Sequence, residues 1–354
     1  MNSDIDAIRT LLNPHDPAAG VDPAVSGASL TAILGDAPGP RPVRRAWGRR
    51  AVMFAGAGVA AVAIVGVAGV VVLPGHDEPG TKARAATPPL LTYHGSGSTR
   101  ARDVLLRLAE RAERRPDTAG TGRYAYVRTR DWGLDGQGDA KGETSSAVIV
   151  TTSEQWLAAD GSGRQRYEYG PPYFPTEGDR RRWEQIEKND GGIVAPGKAD
   201  HRFGPHGIPF RLAWRTLSDN PVTLRKQLYA ANSISDDGQV ERLVDIEHLY
   251  SEQPIRPAIA AAALRVVADI PGLRYDGTTT DRAARTGVAV SVEWNGPDIP
   301  QRYTLIFDPN TGRLLDSEQV LTRAVKGWNV KIPAVIGYTV FLKSSFTQRL
   351  DPPK

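Results

Sequence analysis

Three short stretches of this 354-residue chain carry residue types and spacings that could do chemistry. In ADHRFGPHG, His201 and His206 lie five apart beside Asp200, the donor types a zinc ion takes when a third or fourth ligand is fixed on a rigid element. Gly204, Pro205 and Gly207 interrupt this stretch, so it reads as a surface loop and no metal ligand is assigned. Gly136, Gly138 and Gly142 suggest a phosphate cradle, but their spacing matches neither the dinucleotide fingerprint nor the P-loop, and they join two strand-like segments. Gly95-Ser96-Gly97-Ser98 is not a nucleophile elbow, because it precedes a helix instead of following a strand. Carboxylates are scattered without a spacing that pairs them for glycosidase chemistry. The absence of cysteine excludes disulfides, thiolate metal sites, a cysteine nucleophile and a lipidated cysteine anchor. Accordingly no catalytic residue, cofactor or metal is assigned, and the chain is read as non-enzymatic.

The elements that must position any site begin with a membrane span. Residues 51–73, AVMFAGAGVAAVAIVGVAGVVVL, are uniformly apolar or small. As a helix they would reach about 34 Å, enough to cross a hydrocarbon core of about 30 Å. A signal-peptide core is about 7 to 15 residues long and lies near the N-terminus, whereas this run is longer and begins fifty residues in. Arg41, Arg44, Arg45, Arg49 and Arg50 precede it, against Lys82 and Arg84 after it, which holds residues 1–50 in the cytoplasm and sends the C-terminal part out of it. Gly56 with Ala60, and Ala57 with Ala61, are small residues four apart that permit a weak homodimer through the span. The predicted organisation is a largely disordered cytoplasmic tail over 1–50, the span over 51–73, a linker over 74–92 and an extracytoplasmic domain over 93–354. The formal charge of +4 includes no basic stripe beyond the juxtamembrane arginines, so nucleic acid is not a partner.

The outer domain opens with a helix in which Val104, Leu105, Leu108, Ala109 and Ala112 form one apolar stripe, with Ser98 or Thr99 as its cap and Pro116 beyond it. The period then falls to two. Strands are predicted over 122–130, 144–151, 154–159 and 164–169, the last two joined by the turn Asp160-Gly161-Ser162-Gly163. Helices are predicted over 178–188, from Asn220-Pro221 to about Tyr229, and over the alanine-rich stretch 256–268. Further strands follow in TGVAVSVEW, in RYTLIFD, in RLLDSEQVL after the Asp308-Pro309-Asn310-Thr311-Gly312 turn, and over 334–346. Strands, then helices, then strands imply an α+β domain with an antiparallel sheet and helices on one face. Tyr124, Tyr126, Trp156, Tyr303 and Phe307 are the large side chains expected to line an apolar groove or the core.

With the YAYVRTR strand, the TTSEQWLAADGSGRQR hairpin and RYTLIFDPNTGRLLDSE in place, the chain resembles a family of actinobacterial single-pass membrane proteins whose genes often neighbour extracytoplasmic-function sigma factors. More distantly, the order of elements is similar to the half-barrel fold of periplasmic lipoprotein carriers and of a sensor protein that regulates an anti-sigma factor. The resemblance implies a curved antiparallel sheet over an apolar groove. It carries no catalytic residue. The implied function is a membrane-anchored extracytoplasmic sensor or binding module for a lipid, a peptide or an envelope protein, with an accessory role in envelope signalling. A structural envelope protein without a groove and an envelope enzyme are the alternatives.

Overall fold

The computed structural model describes residues 87–351 apart from 96, 139–143, 175, 191–196, 209–214, 232–237, 297–298 and 326–329. The tail 1–50 with its arginines, the span 51–73 and linker residues 74–86 lie outside the described residues. Among the described residues no helix is long and apolar enough to cross a membrane.

Helix α1 (Ala101–Glu113) buries Ala101, Val104, Leu105, Leu108, Ala109 and Ala112, one face of a 3.6-residue period. Its N-cap is Arg100, without a side-chain cap bond, and neither Ser98 nor Thr99 serves. Strand β1 (Tyr124–Gly138) pairs along its whole length with β2 (Thr144–Ala158). β2 is one strand where two were expected, because Thr152-Ser153 contains no residue that breaks an extended backbone. The turn into β3 (Gly163–Tyr169) is held by Asp160, whose Oδ1 accepts from the Ser162 amide at 2.9 Å and its hydroxyl at 2.6 Å. Gly161 there has φ +79°, and a Cβ would come within 2.8 Å of the Ile208 carbonyl oxygen.

Next come α2 (Glu177–Asp190), edge strand β4 (Gly197–Phe203), α3 (Pro221–Ala231), α4 (Gln239–Glu252) and α5 (Pro257–Ala268). Asn220 caps α3, accepting from the amides of Val222 and Thr223 at 3.0 and 3.1 Å. The chain closes with β5 (Arg274–Thr280), β6 (Thr286–Trp294), β7 (Gln301–Phe307), β8 (Leu314–Leu321) and β9 (Ala334–Thr347). Gly312, in the turn between β7 and β8, has φ +67° and lies so close to α1 and α5 that a Cβ would meet Leu264 at 2.8 Å and Ala112 at 3.1 Å.

The nine strands among the described residues form one antiparallel sheet in the order β4-β3-β2-β1-β9-β8-β7-β6-β5, an open α+β architecture. Register shifts at Arg128/Thr129, Tyr275/Gly277, Ile306/Phe307 and Gln319/Val320 bend it. On one face, called inner here, Val288, Val290, Val292, Tyr303, Leu305 and Phe307 pack with the apolar sides of α1, α3, α4 and α5 into the main core. Helix α2 joins the same side farther along, where Trp183 packs on Ala147 and Ile149. Among the described residues no helix covers the outer face. There Trp132, Leu134 and Val148 pack with Val320, Val330 and Ala334–Ile336, and Trp132 stacks on Tyr338 with ring centroids 5.9 Å apart.

Candidate binding site on the inner sheet face

Register places one residue from each of seven neighbouring strands in a single inner-face row: Val290, Leu305, Ser317, Thr339, Asp131, Thr151 and Tyr169. The row begins aliphatic under the helices and becomes polar at β8, which is unusual for a sheet face backed by a core. Helix α4 crosses it and lowers Glu247 onto the polar part, where Tyr303 donates its hydroxyl to the carboxylate. Burial lifts the Glu247 carboxyl above its ordinary range despite hydrogen bonds from Tyr303, Ser317 and Thr339. The same burial, together with the Glu247 charge, pushes the Tyr303 hydroxyl well up.

Asp131 follows Thr339 in the row, on β1. Its Oδ2 accepts from the Thr129 hydroxyl at 3.0 Å, and the Thr129 and Ser153 hydroxyl oxygens are 2.8 Å apart. Burial pushes the Asp131 carboxyl up to about 7, and the Glu247 charge adds to the rise while bonds from Thr339 and Thr129 oppose it. The side chain keeps partial solvent contact although protein surrounds it, the situation of a group on the floor of a recess. Among the described residues no lysine or arginine pairs with Asp131 or Glu247.

The far wall of the recess is β3. Tyr167 and Tyr169 are half-buried on the inner face and stack at 5.7 Å with an interplanar angle of 15°. Burial raises both phenols, Tyr169 to about 12. At one end of the recess Gln155 donates to the final carbonyls of α4, Ser251 at 2.8 Å and Glu252 at 3.1 Å. At the other, Ser145 donates to the Asp179 carbonyl of α2 at 2.7 Å. The two helices are thus bonded to opposite ends of β2, and between them Asp131 and Ser153 keep partial solvent contact on the face that also carries the two tyrosines.

The five side chains expected to line an apolar groove or the core do not share a wall. Tyr303 and Phe307 lie in the inner-face core, each 1 % exposed. Tyr126 and Trp156 are buried on the outer face, their rings 5.0 Å apart, with the Tyr126 hydroxyl donating to Glu154 at 2.7 Å. Tyr124 is half-buried beneath Arg123 on that same outer face. These five fill the interior and flank it, while the recess is built from residues that drew no notice in the sequence: Asp131, Glu247, Thr339, Tyr167 and Tyr169. Their one legible signal was alternation in GRQRYEY, which aims both tyrosines to one side. The stretch read as a surface loop is in part a strand, with His201 on β4. His206 has φ 63° and gives its amide to the Asp160 carbonyl at 2.7 Å. Among the described residues no group of three or more histidine, aspartate or glutamate side chains could hold a metal ion.

The fold is α+β, with a strip of partly exposed polar side chains on the helix-covered face of an open antiparallel sheet. No family model and no curated protein matches the chain. Among solved structures, MucB in complex with MucA(peri) is similar at 14 % identity over 69 % of this chain and 55 % of that one, with a TM-score of 0.23. A DUF1329 family protein from Desulfovibrio piger ATCC 29098 is similar at 11 % identity over 70 % and 94 % of the two chains, with a TM-score of 0.19. This chain spans about half the length of the MucB structure it matches. At these scores neither bears on function.

Proposed function

We infer that the chain is a membrane-anchored, non-catalytic binding module, held by residues 51–73 with its α+β domain outside the cytoplasm, and that the inner-face recess takes an extended polar segment of a peptide or envelope protein. The observation that carries this reading is the exposed end of the buried polar row: Asp131, solvent-touched yet pushed up to about 7, beside the stacked Tyr167 and Tyr169. Hydroxyl, carboxyl and phenol groups on one strip offer donors and acceptors spaced along strands, which suits main-chain amides better than an acyl chain. Arginine bias around the 51–73 run supports the orientation. An accessory role in envelope signalling rests on the family resemblance alone.

The filled interior around Trp156, Tyr303 and Phe307 favours the second reading, a structural envelope protein. The two separate when the full chain is purified from membranes and co-purifying peptides and lipids are identified by mass spectrometry. Retention of a peptide that Tyr167→Ala with Tyr169→Ala releases supports the module; recovery of nothing from the folded wild type supports the structural reading.

A further inference from the structure

The outer face carries a second buried polar cluster, and it lies under the first segment of the described chain. Residues 87–94 run past edge strand β5: His94 and Thr278 exchange two main-chain bonds, each 2.8 Å. Thr279 donates its hydroxyl to the Thr92 carbonyl at 2.8 Å, and Arg282 donates to the Pro89 carbonyl at 2.8 Å. The Tyr93 ring sits beneath the Arg302 guanidinium at 5.4 Å.

Below this strap, Ser291, Thr304 and Glu318 form one row across β6, β7 and β8, and Asp316 lies two residues before Glu318 on the same face. All four are 0 % exposed. Ser291 Oγ, Glu318 Oε1 and Asp316 Oδ1 have no hydrogen-bond partner among the described residues. The charges around them are unevenly matched. Arg282 Nε donates to Glu318 at 2.8 Å, Arg285 pairs with Asp281 at 2.6 Å, and Arg274 pairs with Asp276 at 3.6 Å. Asp316 receives only the Arg282 main-chain amide, at 3.0 Å on Oδ2. The other titratable groups facing the cluster are Arg302 from β7, Tyr338 from β9 with Arg282 over its ring at 5.3 Å, and Arg130 from β1. An ionised Asp316 would therefore be a buried charge without a cation of its own, which is costly.

We propose that residues 87–94 are a latch that stays closed while Asp316 carries a proton and lifts from β5 when the proton is lost. Arg282 gives its amide to Asp316 and its guanidinium to the Pro89 carbonyl, so lifting the strap brings water to this carboxylate without parting β7 from β8. Burial pushes the Asp316 carboxyl well above its ordinary range, and the Glu318 and Asp281 charges act the same way. Since the closed form binds the proton more tightly, closure holds at low pH and fails as pH rises through the closed-state value. If residues 51–73 span a membrane, release of these eight residues frees up to about 26 Å of tether.

Amide hydrogen exchange on the full chain from pH 6 to 9, corrected for intrinsic exchange, tests the latch. Protection of the amides of His94 and Thr278 should fall at least tenfold relative to β8 in the wild type and stay level in Asp316→Asn. Asp316→Thr, whose hydroxyl can accept the Arg282 amide, should also stay level and serves if the asparagine variant does not fold. Wild type and folded variant losing protection in parallel, or a strap that opens at low pH, would overturn the proposal.

Discussion

Trp156 on β2 donates its indole N–H to the main-chain carbonyl of Asp351 at 3.1 Å, and this bond ties the chain beyond β9 to the outer face of the sheet. Arg164 completes the contact, its guanidinium 5.6 Å from the indole and its Nη1 2.8 Å from the Leu350 carbonyl. The indole packs on Tyr126 and Arg164 of the two neighbouring strands and on this terminal segment. Trp156→Ala should cost about 3 to 5 kcal/mol by chemical denaturation. A loss below about 1 kcal/mol would show that the indole is dispensable to the fold.

Glu247 and Tyr303 couple α4 to β7. Removing the phenol oxygen leaves a buried carboxylate short of a donor, so Tyr303→Phe should destabilise by about 1 to 3 kcal/mol. Glu247→Gln keeps an acceptor for Tyr303 and should cost less. If the glutamine variant proves the weaker of the two in equilibrium unfolding, the carboxylate is not serving as the acceptor described.

Asp131 predicts a pH dependence with a definite sign. Its carboxyl is raised from 3.8 to about 7, so the folded state holds the proton more tightly than the unfolded chain. The associated stability is present below about pH 4 and is lost as pH rises toward 7. Unfolding midpoints of Asp131→Asn across pH 4 to 8 should lack this component of the decline. A wild-type profile that superimposes on the variant's would mean that Asp131 titrates normally.

Membrane orientation is tested by reporter fusions placed after residue 90. Exported markers should be active there and cytoplasmic ones silent. Neutral replacement of Arg44, Arg45, Arg49 and Arg50 should weaken that bias.

What was readable in the sequence follows from how local each signal is. The Asp160 turn and the Asn220-Pro221 helix start are written in adjacent residues, and both stand as expected. Helix α4 was missed although Val240, Leu243, Ile246, Leu249 and Tyr250 keep helical spacing, because Asp245, Glu247 and His248 dilute the apolar period. Strand β4 was missed because it is an exposed edge: GKADHRF has no buried apolar face to alternate. β5 escaped for a related reason, since Gly277 and three threonines make a weak period-two pattern. The recess was out of reach altogether. Asp131, Tyr167, Glu247 and Thr339 come from four distant segments, and only strand register and the crossing of α4 bring them together.

The placement of β9 between β1 and β8 has a consequence for how the protein is made. β1 through β4 form a meander, as do β5 through β8, and each can assemble as its residues leave the ribosome. The two remain separate until Ala334–Thr347 is synthesised, because β1 has no other neighbour on that side. Until then β1 and β8 each present an unpaired row of amides and carbonyls, the kind of edge on which chains aggregate. Closure also joins Tyr124 to Thr347 across more than two hundred residues, a long-range step that makes folding slow. A nascent chain stalled before Ala334 should therefore be bound by chaperones as two half-sheets, and the fourteen residues of β9 should convert it to a single cooperative unit.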